Sequence, residues 1–540
     1  MKRPLPVVWF LLAALALAWG YRGLADSWFL RDDFMWLFDS RIQLQDPVQF
    51  LTTRPSGYFR PFANLVFGLE HAFFGLEPAG FYAVNVLIHG WSAFWLAKLV
   101  RSFGGSLGFA GASAVSVCAL TAAAPGVVWI SGLVSLLAVA MVLPALYFYH
   151  RFQKGGELGA LAIAWVCTVL AVCSRESGVL AGVGIVCMEA RAAFGVFSGK
   201  SGLPRPAFKA WALAFGLRML PFALAGAGYL FVQWDFLTGD AGARGAPGSP
   251  LGYVQNVLTS LPALLRPEEW RLGFSLGGGV LISGGLVLVL GALRGRRGIK
   301  LGLWLVVLLH VAFLPTYPLL SADYVMANRY RYEAVFVVAV MIGALVDALA
   351  GWSAHPDEHG ARSGLRRSAA ACALLGALVV WHLAALPRFV DQDPRFARYA
   401  DATHAMHRQL EEHFGEALVG ARLLSMMPSV EGTRRVALVG VPVENPRHLR
   451  DHLTVFFDFP SELTAQVHVE LADPQVTAQL RGRQAGYVKA LTGVDEVWVW
   501  QPDGSLKRGV PVLAPLLKDW RRPGRQATSA KVQVLEFPQP

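Results

Sequence analysis

Four short clusters of ionisable residues stand where apolar runs begin or end. They are Asp32-Asp33, Arg60-Pro61, Arg175-Glu176 within Ser174–Ser177, and Arg329 and Arg331 flanking Tyr330 within Asn328–Tyr332. A carboxylate can take the proton of an attacking hydroxyl, while arginines stabilise a departing phosphate. Acids and arginines together at a lipid boundary suit the transfer of a sugar from a lipid-linked phosphate. Each cluster also has a plainer reading. Asp32 or Asp33 can cap the helix that follows. Arg175-Glu176 can be an ion pair inside a tight turn between two spans. Arg329 and Arg331 can anchor a span by reaching for the interface beside Tyr330 and Tyr332. Asn85 and His89, one helical turn apart, can be an interhelical hydrogen bond.

The elements that position these clusters must be membrane helices. Of the 540 residues 54% are hydrophobic and only 16% charged, against about 25% charged in soluble domains. Such a chain cannot cover a globular surface without large apolar patches. A soluble enzyme, a disordered chain and a disulfide scaffold are excluded, the last because the five cysteines all lie in apolar runs. The first 389 residues hold 30 basic and 19 acidic residues, and the remainder 18 of each, so the net +11 belongs to the membrane region. It reports span orientation and not nucleic-acid binding.

Eleven segments reach the roughly 20 apolar residues that a span requires: about 4–22, 79–100, 104–123, 126–149, 158–174, 177–196, 210–234, 272–293, 300–320, 332–350 and 368–388. Basic loops such as Arg294–Lys300 fall on alternate sides, which predicts an N-terminus inside, a C-terminus outside and all four clusters on the outer face. Residues 1–388 thus form the membrane domain. Its first outer loop, 23–78, carries two amphipathic helices, at Phe34–Ile42 and Phe62–Phe73, expected to lie on the membrane surface. Residues 389–540 read as a small outer α/β domain, with a helix around Pro394–Phe414, strands at Val436–Val441 and Leu453–Phe457, and a hairpin over Val497–Val512 turning at Asp503-Gly504. No Walker A, Rossmann, His-Glu-x-x-His or nucleophile-elbow motif occurs.

Three runs join the clusters into a longer pattern: Tyr58-Phe59-Arg60-Pro61-Phe62, Phe74-Gly75-Leu76-Glu77-Pro78 leading on to Asn85 and His89, and Val128-Trp129-Ile130-Ser131-Gly132. With Asp32-Asp33, Ser174-Arg175-Glu176-Ser177-Gly178 and Asn328-Arg329-Tyr330-Arg331-Tyr332, in this order over roughly residues 1–350, the chain resembles the GT-C superfamily of membrane glycosyltransferases. The likeness is to protein O-mannosyltransferases and the tetratricopeptide-containing O-mannosyltransferases. It implies a mainly α, polytopic GT-C fold. It also implies a polyprenyl-phosphate-linked sugar donor reached from the outer leaflet, a protein, lipid or glycan acceptor, and Asp32 as general base. Asp33 then orients the base or holds a divalent cation. Arg175, Arg329, Arg331 and Arg60 face the donor phosphate, Glu176 holds Arg175, and Asn85, His89 and Tyr330 support the site. The sequence departs from the pattern where Leu133-Val134-Ser135 replaces an Arg-x-Asp, where Arg175 replaces a lysine, and where no tetratricopeptide array follows. A bacterial inner membrane is the expected location. Two rival readings remain: a transporter or flippase for a lipid-linked substrate, whose charges belong near mid-membrane in broken helices, and a non-catalytic anchor for the outer domain.

Overall fold

The computed structural model describes residues 6–30, 32–52, 58–197, 208–238, 297–313, 331–350, 361–392, 397–425, 433–439, 452, 464–469, 496–500, 505–509 and 530–538. Its helices are α1 (Pro6–Gly20), α2 (Asp32–Gln45), α3 (Pro61–Phe74), α4 (Pro78–Ser102), α5 (Leu107–Ala119), α6 (Leu133–Gly155), α7 (Leu158–Val172), α8 (Leu180–Phe197), α9 (Phe208–Thr238), α10 (Arg297–Phe313), α11 (Arg331–Ala350), α12 (Ala361–Gln392) and α13 (Ala397–Ser425). Among the described residues seven helices are long and apolar enough to cross a membrane, or eight if the pair Leu107–Ala119 and Thr121–Val127, bent by 58°, is one span. Two shorter apolar helices are Leu158–Val172 and Gly298–Ala312. The expected span at 272–293 lies outside the described residues.

The chain divides into two compact units. The first comprises Met1–Asp26, Pro47–Glu70 and Ala79–Asp393, and the second Ser27–Asp46, His71–Pro78 and Pro394–Pro540. In the first, α6 and α11 are enclosed by other helices, while α1, α9 and α12 turn most of their surface outward. Phe10, Leu11 and Leu15 of α1 are exposed, a face that is stable only against hydrocarbon. Inside, Trp9 packs with Ala112, Val115, Val346, Ala350, Ala371 and Leu375, joining α1, α5, α11 and α12. Small residues let these backbones approach, as is usual where lipid supplies no hydrophobic drive. A side chain at Gly111 would collide with the Trp9 ring.

Between α5 and α6 the helix is broken. Leu120 is extended, with φ −64° and ψ 119°, and the chain passes through short turns at Thr121–Ala123, Ala124–Val127 and Ile130–Gly132 before α6 begins. The expected third and fourth spans, interrupted at Ala124-Pro125-Gly126, correspond to α5 and α6 on either side of this break. Backbone freed by a break in apolar surroundings must find other partners. Asn85 of α4 provides them, its side-chain amide reaching the carbonyls of Val127, Trp129 and Ile130 at 3.2, 3.1 and 3.4 Å.

The second unit holds α2, α13 and a five-stranded sheet of β1 (Thr433–Val439), β2 (Thr464–Val469), β3 (Glu496–Trp500), β4 (Leu506–Gly509) and β5 (Ala530–Pro538), in the order β2-β5-β1-β3-β4. β1 and β3 are parallel and the other pairs antiparallel. The hairpin expected over 497–512 appears as β3 and β4, with Val497 opposite Gly509 and Trp500 opposite Leu506. The helix expected around 394–414 is α13, which runs on to Ser425. His413 and Phe414 of α13 pack on the Trp498 ring. Residues of the loop between α1 and α2 belong to this unit: Trp28 stacks on His404 at 4.3 Å, and the Thr403 hydroxyl donates to the Phe29 carbonyl at 3.2 Å. The expected strand at Leu453–Phe457 lies outside the described residues.

Candidate active site

In the first unit the ends of several helices meet around two arginines. Pro61 opens α3, where its fixed φ and missing N–H cost nothing, and the Phe62 amide donates to the Cys173 carbonyl at 3.0 Å. This holds Arg60 beside the turn between α7 and α8. Arg60, 6% exposed, donates to Glu176 at 2.8 Å and lies 4.2 Å from the centre of the Tyr58 ring. The turn itself is tight. The Arg175 amide bonds the Ala171 carbonyl, the Gly178 amide bonds the Arg175 carbonyl, and a side chain at Gly178 would strike the Ala171 backbone. Only glycine lets the chain fold back closely enough to aim Arg175 inward.

Arg175 is completely enclosed. Its guanidinium donates to the Ser135 hydroxyl at 2.8 Å and to Glu333 of α11 at 2.7 Å, and the Ser177 hydroxyl donates to the same Glu333 oxygen at 2.8 Å. Arg175 and Glu333 are each 2% exposed. Glu176 approaches Arg175 at 3.8 Å and is nearer to Arg60. Two arginines and two glutamates thus form a chain of alternating charge, Arg60–Glu176–Arg175–Glu333, with no net charge. Burial without such pairing would be prohibitive, and each carboxylate fixes its arginine's direction. Two donors near the chain are unused. Arg60 Nε is buried without a hydrogen-bond partner among the described residues, as is the Tyr229 hydroxyl of α9, and Tyr229 is within electrostatic range of Glu176 and Arg60.

Two further expected residues support the same helix ends. Asn85 holds the broken segment between α5 and α6. His89 Nδ1 is 3.0 Å from the Tyr332 hydroxyl, with the Tyr21 ring edge-on to it. Tyr332 in turn packs on Gly126, so α4, the break and α11 are locked together one residue from Glu333.

Asp32 and Asp33 belong to the second unit, at the start of α2. Asp33 is fully buried. Its carboxylate accepts the Leu30 amide at 2.8 Å, and its own amide donates to the Leu30 carbonyl at 2.7 Å. This is a helix-entry lock, in which an acid in the first turn reaches back to a free backbone donor. Asp32 beside it is half-buried. Asp33 was expected to hold any divalent cation. Among the described residues no group of three or more His, Cys, Asp or Glu is placed to hold a metal, and one Asp33 oxygen already serves the Leu30 amide. Arg329 and Tyr330 lie outside the described residues, and Arg331 is the first residue of α11.

The residues are therefore brought together as Arg60, Arg175 and Glu176, with Asn85 and His89 supporting. Glu333, Ser135, Ser177 and Tyr229 went unnoticed as site residues in the sequence. Glu333 carried a signal, since an acid at the head of the apolar run Tyr332–Ala350 is an ionisable residue at membrane depth. Ser177 stands inside the Ser174–Gly178 run and Ser135 at the departure Leu133–Ser135, but nothing local marks either hydroxyl as a partner of the buried charges, and Tyr229 is an ordinary constituent of a membrane helix.

No protein-family model matches the chain, and no curated protein matches it. Solved structures do. ArnT from Cupriavidus metallidurans, bound to undecaprenyl phosphate, is similar over 97% of this chain and 97% of its own, at 13% identity and TM-score 0.43. The archaeal oligosaccharyltransferase AglB from Archaeoglobus fulgidus, in complex with an inhibitory peptide and a dolichol-phosphate, is similar over 94% of this chain and 75% of its own, at 13% identity and TM-score 0.46. The Archaeoglobus fulgidus oligosaccharyltransferase tethered with an acceptor peptide is similar over 76% of this chain, which spans 58% of that protein's length, at 14% identity and TM-score 0.41. At these values the likeness is one of chain path, and no residue role or substrate is carried across it.

Proposed function

We propose that this protein is a membrane glycosyltransferase of GT-C type. It transfers a hexosyl sugar from a polyprenyl-phosphate-linked donor to a protein, lipid or glycan acceptor at the outer face of a bacterial inner membrane. The observation that carries the reading is Arg60, oriented by Glu176 yet with Nε unpartnered, next to the unpartnered hydroxyl of Tyr229. Buried donors without acceptors are costly to keep, and a phosphate oxygen satisfies both. Arg175, spent on Glu333 and Ser135, serves as a positioning residue that keeps Glu176 charged and aimed at Arg60.

In the reaction an acceptor hydroxyl or amide attacks the anomeric carbon. The bond from that carbon to the donor's phosphate oxygen breaks, its electron pair leaves with the polyprenyl phosphate, and the acceptor's proton passes to a base. Asp32 is the candidate base, because Asp33's carboxylate serves the fold while Asp32 retains access to solvent. Arg60 and Tyr229 stabilise the phosphate as its charge grows. Eleven spans, with the N-terminus cytoplasmic and the C-terminal domain outside, accompany this reading.

The test is transfer from a synthetic polyprenyl-phosphate sugar by purified full-length protein. Asp32→Asn is expected to lower turnover by about 10²–10⁴-fold with donor binding retained, and Arg60→Gln to weaken donor binding. Full turnover in Asp32→Asn removes the base from this position. Movement of an intact lipid-linked donor between leaflets, without transfer, selects the flippase instead.

A further inference from the structure

The same helices that start at the charged network end in a second cluster, of a different kind. From Ser135 in the network, α6 runs nineteen residues to Lys154, about 28 Å at 1.5 Å per residue, close to the thickness of a hydrocarbon core. α4 likewise runs from Asn85 to Lys98 and Arg101, and α8 from the Arg175–Glu176 turn to Arg191. The second cluster therefore lies at the opposite membrane face.

Its cations are arranged around aromatic rings. Arg191 lies over Trp304 at 4.6 Å and 5.9 Å from Phe103, Phe103 stacks on His150 at 3.8 Å, and Lys98 approaches both Phe94 and Tyr147. Lys154 and His150 both point at the Ser102 carbonyl, at 2.5 and 3.2 Å, and Arg101 donates to the Gly105 carbonyl. Lys98, Arg101, Lys154 and Arg191 are exposed, and none is paired with a carboxylate among the described residues. The acids nearby have other partners: Glu157 pairs with Arg151, Glu189 with Arg218, Gln153 and Tyr149, and the buried Asp347 accepts from the Ser106 hydroxyl. Aromatic faces hold Arg191 and Lys98, and carbonyls hold Lys154 and Arg101, without neutralising them, so four charges remain uncompensated beside lipid-facing Trp91 and Phe94. A headgroup bearing a phosphodiester supplies the missing charge while its acyl chains lie along those rings.

We propose that this face is a binding site for an anionic phospholipid, whose phosphodiester bridges Arg191 and Lys154 beside Phe103. The inference does not rest on the glycosyltransferase reading, and its test needs no activity. Delipidated full-length protein in neutral detergent is titrated with phosphatidylglycerol, with phosphatidylcholine of the same chains, or with inorganic phosphate, reading bound lipid by native mass spectrometry and the thermal midpoint.

Phosphatidylglycerol should bind and raise the midpoint, and phosphatidylcholine should do neither at the same concentrations. Arg191→Gln with Lys154→Gln should weaken phosphatidylglycerol about thirty-fold, roughly fivefold per cation, and Arg191→Lys should largely preserve it. Arg151→Gln, whose charge is already paired, should leave it unchanged. Removing Arg191 or Lys154 strands no acid, so the double variant should fold, and its unliganded midpoint reports that directly. Equal binding of the two lipids, full phosphatidylglycerol binding by the double variant, or reproduction of the effect by inorganic phosphate would each overturn the proposal.

Discussion

Replacing Glu333 by Gln removes one charge from the most enclosed ion pair among the described residues. Arg175 and Glu333 are each 2% exposed, with nitrogen and oxygen 2.7 Å apart, so water screens neither and the measured cost needs no discount for exposure. Breaking a buried pair from one side costs about 3–5 kcal/mol, because the stranded charge remains desolvated. Here Arg175 keeps the Ser135 hydroxyl, the more exposed Glu176 at 3.8 Å, and the amide oxygen of the new glutamine. The cost should therefore sit near the lower limit, about 3 kcal/mol. Arg175→Met is harsher, since Glu333 would be left with the Ser177 hydroxyl, and about 4 kcal/mol is expected. In the double variant no buried charge of this pair is stranded, so the two losses should overlap with a coupling of about 2 kcal/mol. Unfolding of full-length protein in mixed micelles with increasing dodecyl sulfate, followed by circular dichroism, measures all three. Losses that add to within about 0.5 kcal/mol would mean that the two residues do not act as a pair, and the alternating network would have to be abandoned.

Glu70 of α3 is buried, one carboxylate oxygen has no hydrogen-bond partner among the described residues, and burial lifts its pKa well above the ordinary 4.5. The folded protein thus holds this proton more tightly than the unfolded chain. The stability it contributes is complete below about 4.5 and is lost as pH rises through the folded value. Glu70→Gln should flatten that fall and raise the thermal midpoint at neutral pH; a lower midpoint at pH 7 would contradict it. Gly178→Ala should destabilise by about 1–3 kcal/mol, because the new methyl meets the backbone of Ala171 and Val172 and not a movable side chain, as unfolding curves will show. A phosphatase reporter fused after Pro540 should be active and a cytoplasm-only fluorescent reporter there dark; the reverse pattern would require an even number of spans.

Composition and periodicity carried the membrane class, the positions of the described apolar helices, the two helices α2 and α3 between the first two spans, α13 and the β3–β4 hairpin. These depend on the solvent and on the geometry of adjacent residues, both written locally in the chain. The arginines and acids were equally legible as types. What the local pattern does not contain is partnership. Arg175 stands beside Glu176 in sequence, yet its closest acid among the described residues is Glu333, 158 positions away, because the close turn at Gly178 aims it across the bundle at α11. Asn85 reads from the sequence as an interhelical hydrogen bond or a supporting site residue, but the carbonyls it meets are free only because the chain breaks between α5 and α6. Asp32 is set apart from Asp33 as the base by the family resemblance, because two adjacent acids of one type give no local structural distinction. The fold separated them, since the start of α2 leaves one free backbone donor at Leu30 and only Asp33 is turned toward it. Periodicity tells which face of an element is apolar, but which polar groups satisfy one another follows from where the backbones stop, bend and meet.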